Sequence, residues 1–316
     1  MRILITGGFG FVGGRVARCL QQAGHHIILG SRHTRKAPEW LPQAKVAQIT
    51  WNDEMALEKI CSGVDVVIHA AGMNAQDCAA DQVAALEFNG VATTRLLVAA
   101  IQAGTQRFIY LSTAHVYASP LVGIISEDTC PRNLHPYATS HLAGESAVLF
   151  ATQRGQIEGI VLRLSNAFGA PVHKDVSCWM LLVNDLCRQA VETGKLVLHS
   201  SGMQYRDFVA MNDVSRSIET MISREIVPGE AAVFNVGSGI SRTVLEVAQL
   251  IQQRCKLVLD FEPGLQKIET GSDEVHEKLD FRVERLLSKC STVGVSDVNE
   301  IDTLLLFCNT SFYVPK

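Results

Sequence analysis

The feature that most constrains this chain is a run of glycines between an apolar segment and an amphipathic one. Residues 2–6 (RILIT) have the composition of a strand buried on both faces, and glycines follow at positions 7, 8, 10, 13 and 14. From position 12 onward, apolar residues recur at 12, 16, 17 and 20, the spacing of one helix face, and Gly24 ends the segment. The chain is therefore predicted to begin with a strand, a tight turn and a helix.

Three of these glycines, Gly7, Gly10 and Gly13, have G-x-x-G-x-x-G spacing. In such a turn the first glycine permits the bend, the second lets the backbone approach a pyrophosphate, and the third lets helix and strand pack closely. The helix N-terminus, at Phe11 and Val12, then presents free N–H groups and the positive end of its dipole to the anion. The turn predicts a dinucleotide-binding site, and the alternative is a turn that is tight for structural reasons alone.

The rest of the chain alternates strands with helices as far as residue 165. Such alternation is typical of βαβ units, in which a parallel sheet is covered by helices on both faces. Strands are predicted at 26–29, 65–69, 108–112 and 159–164, and helices at 82–103 and 137–152, the second opened by Pro136.

Beyond residue 165 the pattern is less regular. A helix at 180–193, a strand at 196–199, a helix at 241–253 capped by Ser241 or Thr243, and a polar surface loop at 262–280 are predicted. The fold class is therefore α/β: a Rossmann-type, doubly wound parallel sheet over residues 1–165. Residues 166–316 are predicted to form mainly a smaller substrate-binding lobe, with some segments returning to the sheet.

Composition excludes several other classes of protein. Lys and Arg number 28 and Asp and Glu 32, giving a net charge of −4 and no basic surface for nucleic acid. No apolar run approaches the ~20 residues of a membrane span, and the apolar start is too short for a signal peptide. The nine cysteines form no C-x-x-C pair and the histidines have no metal-ligand spacing, so no metal site is predicted. The odd number of thiols favours a reducing, cytoplasmic location.

The predicted second strand ends without an acidic residue. Sites that select NAD usually have Asp or Glu there, which binds the ribose 2′-hydroxyl. This chain has Ser31, Arg32, His33, Arg35 and Lys36 instead. A guanidinium can meet a 2′-phosphate with paired, charge-assisted hydrogen bonds, so the cluster favours NADP(H) over NAD(H). The alternative is a solvated basic loop.

Taken together, the motifs resemble those of the extended short-chain dehydrogenase/reductases, the NAD(P)-dependent nucleotide-sugar epimerase and dehydratase family. The resemblance covers about residues 2–290 and implies a nucleotide-sugar substrate. It is carried by TGGFGFVG (6–13), DVVIHAAG (65–72), NGVATTRLL from Asn89, FIYLSTAHVY (108–117), Tyr137, RLSNAFGAP (163–171), YRDFVAMNDV (205–214) and FNVGSG (234–239).

The resemblance implies a role for individual residues. Thr113 lies where the family hydrogen-bonds the reacting sugar oxygen, and Tyr137 where its acid/base tyrosine lies. Asn166 and Arg206 match positions that hold the nucleotide diphosphate, whereas Asp213 matches a position expected to be structural. The cofactor-binding residues implied are Gly7, Gly10, Phe11, Val12, Gly13, Arg32, Ala70, Ala71, Gly72, Asn89, Ser112, Tyr137 and His141.

The largest departure from the family lies one helical turn after Tyr137. The family has a lysine there, whose charge lowers the pKa of the tyrosine and whose ammonium group holds the nicotinamide ribose. This chain has His141, which carries charge only part of the time near neutral pH. Either His141 performs a weaker version of the lysine's role, as a third catalytic residue beside Thr113 and Tyr137, or the activity has been lost.

A second departure bears on the reaction. The family's 4,6-dehydratases have Asp and Glu after the residue equivalent to Thr113, and this chain has Ala114 and His115. Dehydration is therefore disfavoured. His115 is either a proton shuttle or, as is commoner at a strand end, a hydrogen-bonded structural residue.

The sequence thus predicts an NAD(P)-dependent nucleotide-sugar epimerase or 4-keto-sugar reductase with Tyr137 as acid/base. The alternative is a non-catalytic dinucleotide-binding sensor or scaffold, because the lysine is missing. A homodimer formed through helix 82–103 is expected from the resemblance.

Overall fold

The computed structural model describes residues 1–224, 232–267, 277–290 and 297–313. These residues divide between two compact units. The first contains 1–119, 129–164 and 215–235, and the second contains 120–128, 165–214 and 236–316. The sequence predicts a boundary at residue 165, and the chain passes from the first unit to the second after Leu164. Two segments differ from that prediction: residues 120–128 belong to the second unit, and residues 215–235 belong to the first. That the second unit binds substrate stays a prediction.

The strands and helices are numbered in chain order. The strands are β1 (Arg2–Thr6), β2 (His26–Ser31), β3 (Lys45–Gln48), β4 (Val66–His69), β5 (Arg107–Thr113), β6 (Gly123–Ile125), β7 (Glu158–Leu164), β8 (Asn166–Phe168), β9 (Lys195–Leu198), β10 (Tyr205–Ala210), β11 (Val233–Val236), β12 (Ser241–Thr243), β13 (Gly264–Lys267) and β14 (Leu279–Phe281). The helices are α1 (Phe11–Gln22), α2 (Glu54–Cys61), α3 (Ala75–Ala80), α4 (Gln82–Ala85), α5 (Thr93–Gln102), α6 (Pro136–Gln153), α7 (Leu182–Thr193), α8 (Met211–Ser223), α9 (Val244–Leu259), α10 (Glu284–Leu287) and α11 (Asp297–Phe312).

The first unit is built on a seven-stranded sheet in the order β11-β7-β5-β4-β1-β2-β3. The pairs from β7 across to β3 are parallel. The strand order reverses between β1 and β4, and ligands of such sheets bind at the carboxyl ends of the strands on either side of the reversal. The predicted doubly wound parallel sheet is confirmed, and its reversal lies next to the glycine turn.

Buried aliphatic strands and the apolar faces of helices form the core of this unit. Leu4 of β1 and Phe108 of β5 pack with Leu57 of α2, Leu96 of α5 and Val148 of α6. The middle residues of the first two strands are apolar and buried, with the polar residues at the strand ends, which is the composition that a sheet covered on both sides requires. The carboxyl ends of β1, β4 and β5 are thereby held as one rigid edge.

The predicted helix 82–103 is interrupted. Its first turn is α4 and its last part is α5, but Leu86–Ala92 between them is a π-helical turn. By length and composition Gln82–Gln102 could also span a bilayer, yet half of this stretch is buried inside the structure. That burial is ordinary for a helix in the core of a folded domain.

The second unit has three small sheets, ordered β12-β10-β8, β13-β9 and β14-β6. Helices α7, α9 and α11 enclose its apolar core. Helix α9 begins three residues later than predicted, at Val244, because 241–243 pair with β10; Thr243 caps it, in a capping box with Glu246.

The prediction of a surface loop over residues 262–280 was wrong at both ends. Residues 264–267 form β13 and residues 279–281 form β14. Strand β13 is largely exposed and polar, so its pairing with β9, rather than an apolar pattern of its own, defines it. Residues 268–276 of the predicted loop lie outside the described residues.

Candidate active site

The glycine turn after β1 is shaped by close backbone contacts. Gly7 has a φ of +65°, and a Cβ there would lie 2.6 Å from the Ala70 carbonyl oxygen. A Cβ on Gly13 would lie 2.4 Å from the Gly7 carbonyl oxygen, but a Cβ on Gly10 would meet only that oxygen, at 3.1 Å. The chain itself fills the space at Gly7 and Gly13, whereas the contact at Gly10 is longer and leaves more room beside the backbone for a ligand.

The first turn of α1 suits an anion. It contains no acidic residue, and no side chain caps its N-terminus at Gly10. The N–H groups of Phe11 and Val12 lie in this turn, where an α-helix has no backbone acceptors for them. An open cradle beside uncapped N–H groups fits the pyrophosphate of a dinucleotide.

The basic loop after β2 is exposed from Arg32 to Lys36. The Gln48 amide donates to the Arg32 carbonyl oxygen at 3.5 Å, and the Arg35 guanidinium lies 4.8 Å from the centre of the Phe9 ring. The Arg32 side chain is exposed, and it follows the carboxyl end of the strand that neighbours β1. That Arg32 contacts a 2′-phosphate stays a prediction.

A buried histidine links the two strands that flank the reversal. Nδ1 of His69 lies 2.6 Å from the Thr6 hydroxyl, which also accepts the Ala71 N–H at 3.3 Å. Nε2 of His69 lies 2.8 Å from the Thr93 hydroxyl. Burial, with a smaller contribution from nearby His141, lowers the pKa of His69 to about 3. His69 is therefore neutral, and it fixes the backbone that leads into Ala70, Ala71 and Gly72.

Asn89 lies in the π-helical turn and is fully buried. Its side-chain oxygen accepts the Met73 N–H at 2.8 Å, and its amide donates to the Ser140 hydroxyl at 3.1 Å. These bonds tie the loop after β4 to α6. The side chain of Asn89 is thus committed within the protein, so its predicted contribution to cofactor binding would be to shape the pocket.

Tyr137 and Thr113 lie together, as the resemblance implied. Pro136 starts α6, and the Tyr137 N–H donates to Nδ1 of the capping residue His135 at 3.1 Å. Burial raises the pKa of Tyr137, and a hydrogen bond with the Thr113 hydroxyl partly offsets this rise. The Tyr137 hydroxyl is therefore held beside Thr113 and is protonated at neutral pH.

His141 lies directly below Tyr137 on the same face of α6. The two rings meet edge to face with centroids 4.7 Å apart. Burial lowers the pKa of His141 to about 4, so its imidazole is neutral at physiological pH. Nδ1 of His141 lies 2.8 Å from the Tyr110 hydroxyl of β5. The structure therefore places a neutral, hydrogen-bonded ring where the family has a permanent cation.

The next turn of α6 carries a buried carboxylate that sequence reasoning missed. Glu145 forms an ion pair with Arg163 of β7 at 2.6 Å and accepts the Ser112 hydroxyl at 2.5 Å. The guanidinium of Arg163 also lies 4.7 Å from the centre of the Tyr117 ring. The predicted cofactor ligand Ser112 therefore directs its hydroxyl into the protein, and only its backbone remains for a ligand.

His115 has a structural setting. Its N–H donates to the Thr113 hydroxyl at 3.1 Å, and its carbonyl oxygen accepts the Asn133 amide at 2.7 Å. Its side chain is exposed. The backbone of His115, rather than its ring, orients Thr113.

In the second unit, Asn166 and Arg206 lie on the neighbouring strands β8 and β10. The Asn166 amide donates to the Asp207 carbonyl oxygen at 2.8 Å, and Asn166 pairs in register with Phe208, two residues beyond Arg206. The carboxylate of Asp207, buried among Ser165, Ser238 and Gly239, holds three segments together. Arg206 is exposed beside this rigid centre, and Asp213 is buried in the first turn of α8.

Within residues 1–224, 232–267, 277–290 and 297–313, no group of three or more His, Cys, Asp or Glu side chains is arranged to hold a metal ion. All nine cysteines are free thiols.

A parallel sheet with its reversal beside a glycine cradle, and a Tyr–Thr pair at the adjacent strand end, define a dinucleotide-dependent enzyme class. The model of the NAD dependent epimerase/dehydratase family matches residues 3–237. The chain belongs to this family.

Curated relatives match most of the chain. A dTDP-6-deoxy-L-talose 4-dehydrogenase (NAD(P)(+)) of Kitasatospora kifunensis is 30% identical over 298 residues, which cover 90% of this chain and 88% of that protein. An uncharacterized UDP-glucose epimerase, YtcB, of Bacillus subtilis (strain 168) is 27% identical over 272 residues, 80% of this chain and 81% of that protein.

Solved structures show the same fold at lower identity. The UDP-glucuronic acid 4-epimerase from Bacillus cereus, in complex with UDP-glucuronic acid and NAD, has a TM-score of 0.78 and 21% identity, covering 98% of this chain and 99% of that one. The NDP-hexosamine 5,6-dehydratase TunA has a TM-score of 0.79 and 24% identity, covering 98% of each chain.

Proposed function

We propose that this protein reduces a ketone on a sugar carried by a nucleoside diphosphate, with NADP(H) as the preferred dinucleotide. The observation that carries the proposal is the Tyr137 hydroxyl, held beside Thr113 with a neutral histidine below it. The relative named as a 4-dehydrogenase supports this reaction class, because such an enzyme interconverts an alcohol and a ketone on a nucleotide-linked sugar.

The setting of Tyr137 favours the reductive direction. A tyrosine that begins oxidation must first lose its proton, which an adjacent cation promotes. Burial dominates the pKa of Tyr137, and among the described residues no Lys or Arg contributes to it. Tyr137 therefore begins the reaction protonated, as an acid. Reduction of a ketone needs an acid of this kind at the carbonyl oxygen.

The proposed step divides between two side chains. A dihydronicotinamide held by the glycine turn would supply the hydride for the carbonyl carbon. Tyr137 donates its proton to the oxygen as negative charge develops there. The Thr113 hydroxyl accepts the His115 N–H, which leaves its own proton free to donate to the same sugar oxygen. His141 donates a hydrogen bond to the nicotinamide ribose in place of the family's lysine.

The cofactor preference rests on Arg32. Strand β2 ends at Ser31 with no carboxylate to accept the 2′-hydroxyl of NAD. Arg32 follows directly, exposed, and can pair with a 2′-phosphate. The 4-dehydrogenase relative is named for both NAD and NADP, which is compatible with this preference.

The nucleotide diphosphate is assigned to the second unit. Arg206 is exposed as a residue, although partial burial lowers the pKa of its guanidinium, and it supplies charge and paired donors for a diphosphate. Asn166 is oriented by the bond from its amide to the Asp207 carbonyl. Rigid support from buried Asp207 would limit the entropy lost on binding.

A homodimer is proposed through the outer face of the interrupted helix. A groove of about 390 Å³ runs along it, lined by Leu86, Val91, Val98 and Ala143 among others. Leu86 is 52% exposed and Val98 is 45% exposed, which leaves apolar area for a second copy to cover. Light scattering should report a dimer that Val98→Glu dissociates, whereas Leu257→Glu on α9 leaves it intact.

The function is tested by following NADPH absorbance with a panel of UDP- and dTDP-linked 4-keto sugars. We expect net consumption of NADPH with formation of the corresponding alcohol. Interconversion of two nucleotide sugars without net consumption would show an epimerase instead. Tight dinucleotide binding with no turnover across the panel would support the non-catalytic alternative, which the missing lysine favours.

A further inference from the structure

The Tyr110 side chain has no assigned role, yet it contacts the ring that replaces the family's lysine. Its hydroxyl is 2.8 Å from Nδ1 of His141 and 3.4 Å from the Asn89 carbonyl oxygen. That carbonyl already accepts the Thr93 hydroxyl at 2.7 Å. A phenol has one proton to donate. Two arrangements satisfy these groups: the phenol donates to Nδ1 of His141, or it accepts an Nδ1–H and donates to the Asn89 carbonyl oxygen over the longer contact. The shorter contact and the occupied carbonyl favour the first, in which Tyr110 donates to His141.

This bond decides which nitrogen of His141 carries hydrogen. A neutral imidazole that accepts at Nδ1 must carry its hydrogen on Nε2. A methyl group built on Gly72 would lie 3.5 Å from Cε1 and 3.6 Å from Nε2 of His141. The edge that carries the Nε2–H thus faces the loop after β4, where the family's cofactor residues lie.

We propose that Tyr110 is a positioning residue, which holds His141 as a neutral donor with its Nε2–H directed past Gly72 into the cofactor pocket. This rests on the proposed function, in which His141 bonds the nicotinamide ribose. Tyr110 acts only through His141 and touches neither substrate nor cofactor.

The surroundings of Tyr110 are arranged to hold its hydroxyl in place. A Cβ on Gly144 would lie 2.8 Å from that hydroxyl, so the absence of a side chain at 144 makes room for it. On its other side the Tyr110 ring stacks on His69, with centroids 5.6 Å apart and planes 23° apart. His69 is itself held at both nitrogens by Thr6 and Thr93. Tyr110 therefore has little freedom to point elsewhere.

The first test is spectroscopic and needs no turnover. Long-range ¹⁵N–¹H spectra of ¹⁵N-histidine-labelled protein report the tautomer of each ring, and His141→Gln assigns the signals of His141. We expect the Nε2–H form in the wild type at neutral pH. Tyr110→Phe keeps the ring and its stacking but removes the donor, and should give a mixture of both tautomers. An Nδ1–H form or an imidazolium in the wild type would overturn the proposal.

The second test is a double-mutant cycle. Tyr110→Phe should lower kcat, and dinucleotide affinity measured by titration, roughly 3- to 10-fold, the effect of one neutral hydrogen bond. In a His141→Lys background the same change should have no effect on either quantity. Equal losses in both backgrounds would show a merely structural role and overturn the proposal, as would no loss in either.

Tyr117→Phe is the matched control. Tyr117 is also a buried tyrosine of the first unit, and its hydroxyl donates to the Asn235 side chain at 2.7 Å. Its loss should lower thermal stability to a similar extent without changing kcat or the His141 tautomer. If no nucleotide sugar is turned over by the wild type, the proposed function fails. The tautomer and the dinucleotide titration still decide the role of Tyr110.

Discussion

The glycine turn after β1 and the face of α6 that carries Tyr137 are built by different means. The turn is fixed by backbone contacts, in which Gly7 and Gly13 leave no space for any side chain. The helix face is fixed by side chains, and His141 there contacts both Tyr137 and Tyr110. At Gly7 and Gly13 the backbone leaves no room for substitution without distorting the turn, whereas the helix face can exchange one side chain and keep the fold.

This difference explains why the family pattern is intact in one region and altered in the other. Exchanging lysine for histidine at position 141 removes a charge but leaves the helix, its cap and its neighbours in place. The expected result is a change of chemistry rather than of structure.

The largest effect is expected at Gly10. Gly10→Val should abolish dinucleotide binding while leaving a cooperative thermal transition, because beyond its chain neighbours the new Cβ would meet the Gly7 carbonyl oxygen at 3.1 Å and no closer atom. Gly13→Val is the contrast. Its Cβ would overlap the Gly7 carbonyl, so it should also cost about 1–3 kcal/mol of stability. Calorimetry with and without dinucleotide measures both, and normal binding by Gly10→Val would mean that the turn has been misread.

Tyr137→Phe should lower turnover about 10²–10⁴-fold, the usual contribution of a positioned acid. Dinucleotide affinity should stay nearly unchanged, because the phenol acts at the sugar oxygen. Steady-state kinetics beside titration separate the two. Full activity in this variant would remove tyrosine from the mechanism and direct attention to His115.

Acid should lower the free energy of unfolding, because His141, buried in α6, resists protonation in the folded state. The folded pKa of His141, about 4, lies below the ordinary 6.5, so the folded state binds fewer protons between these values. Its stabilising contribution is complete above pH 6.5 and declines as pH falls towards 4, by about 3 kcal/mol at most. Urea unfolding between pH 4 and 7 should show a shallower dependence in His141→Gln. The exposed His199→Gln is the control, and an unchanged slope in His141→Gln would contradict the burial argument.

Arg32→Asp should weaken NADPH binding roughly 10- to 150-fold, the loss of one charge-assisted contact. NADH binding should change far less, because that cofactor has no 2′-phosphate. Titration with both cofactors is the measurement. Equal losses, or a wild type that prefers NADH, would refute the NADP(H) preference and leave the glycine turn unaffected.

The smallest effect is expected for His141→Lys, which should preserve activity or raise it a few-fold, provided that the longer side chain fits beside Tyr110. His141→Ala should instead weaken both dinucleotide binding and turnover, because the donor is lost altogether. Kinetics of the two variants side by side make the comparison. No turnover by the wild type or by His141→Lys would favour the non-catalytic alternative.

Local patterns predicted the elements that place the site. Apolar strands, the glycine spacing and Pro136 located β1, the turn and α6, because each signal lies within a few residues of its effect. The four-residue spacing also placed Tyr137 above His141 on one helix face.

Contacts between distant segments were not predictable in the same way. Tyr110 lies on a strand in which every residue is buried, so its hydroxyl gave no pattern that pointed to His141, 31 positions further on. Glu145 did leave a signal, as a charged residue four positions after His141 on a buried face, with Arg163 inside a buried strand as its partner. No sequence pattern indicated the exposed strand β13, because its backbone pairing with β9 defines it.

The π-helical turn at Leu86–Ala92 has a consequence for chain length. A π turn holds an additional residue per turn compared with an α-helix. Deleting one residue from 86–92 should therefore restore regular α-helix with α4 and α5 nearly in phase, so that the residues within the turn are the ones that change helix face. Asn89 would then turn away from Met73 and Ser140, and the loop after β4 would lose its tie to α6. A relative whose alignment has a one-residue gap at this turn should need a different anchor for that loop, so the architecture of the pocket is encoded partly in the number of residues rather than in their identity.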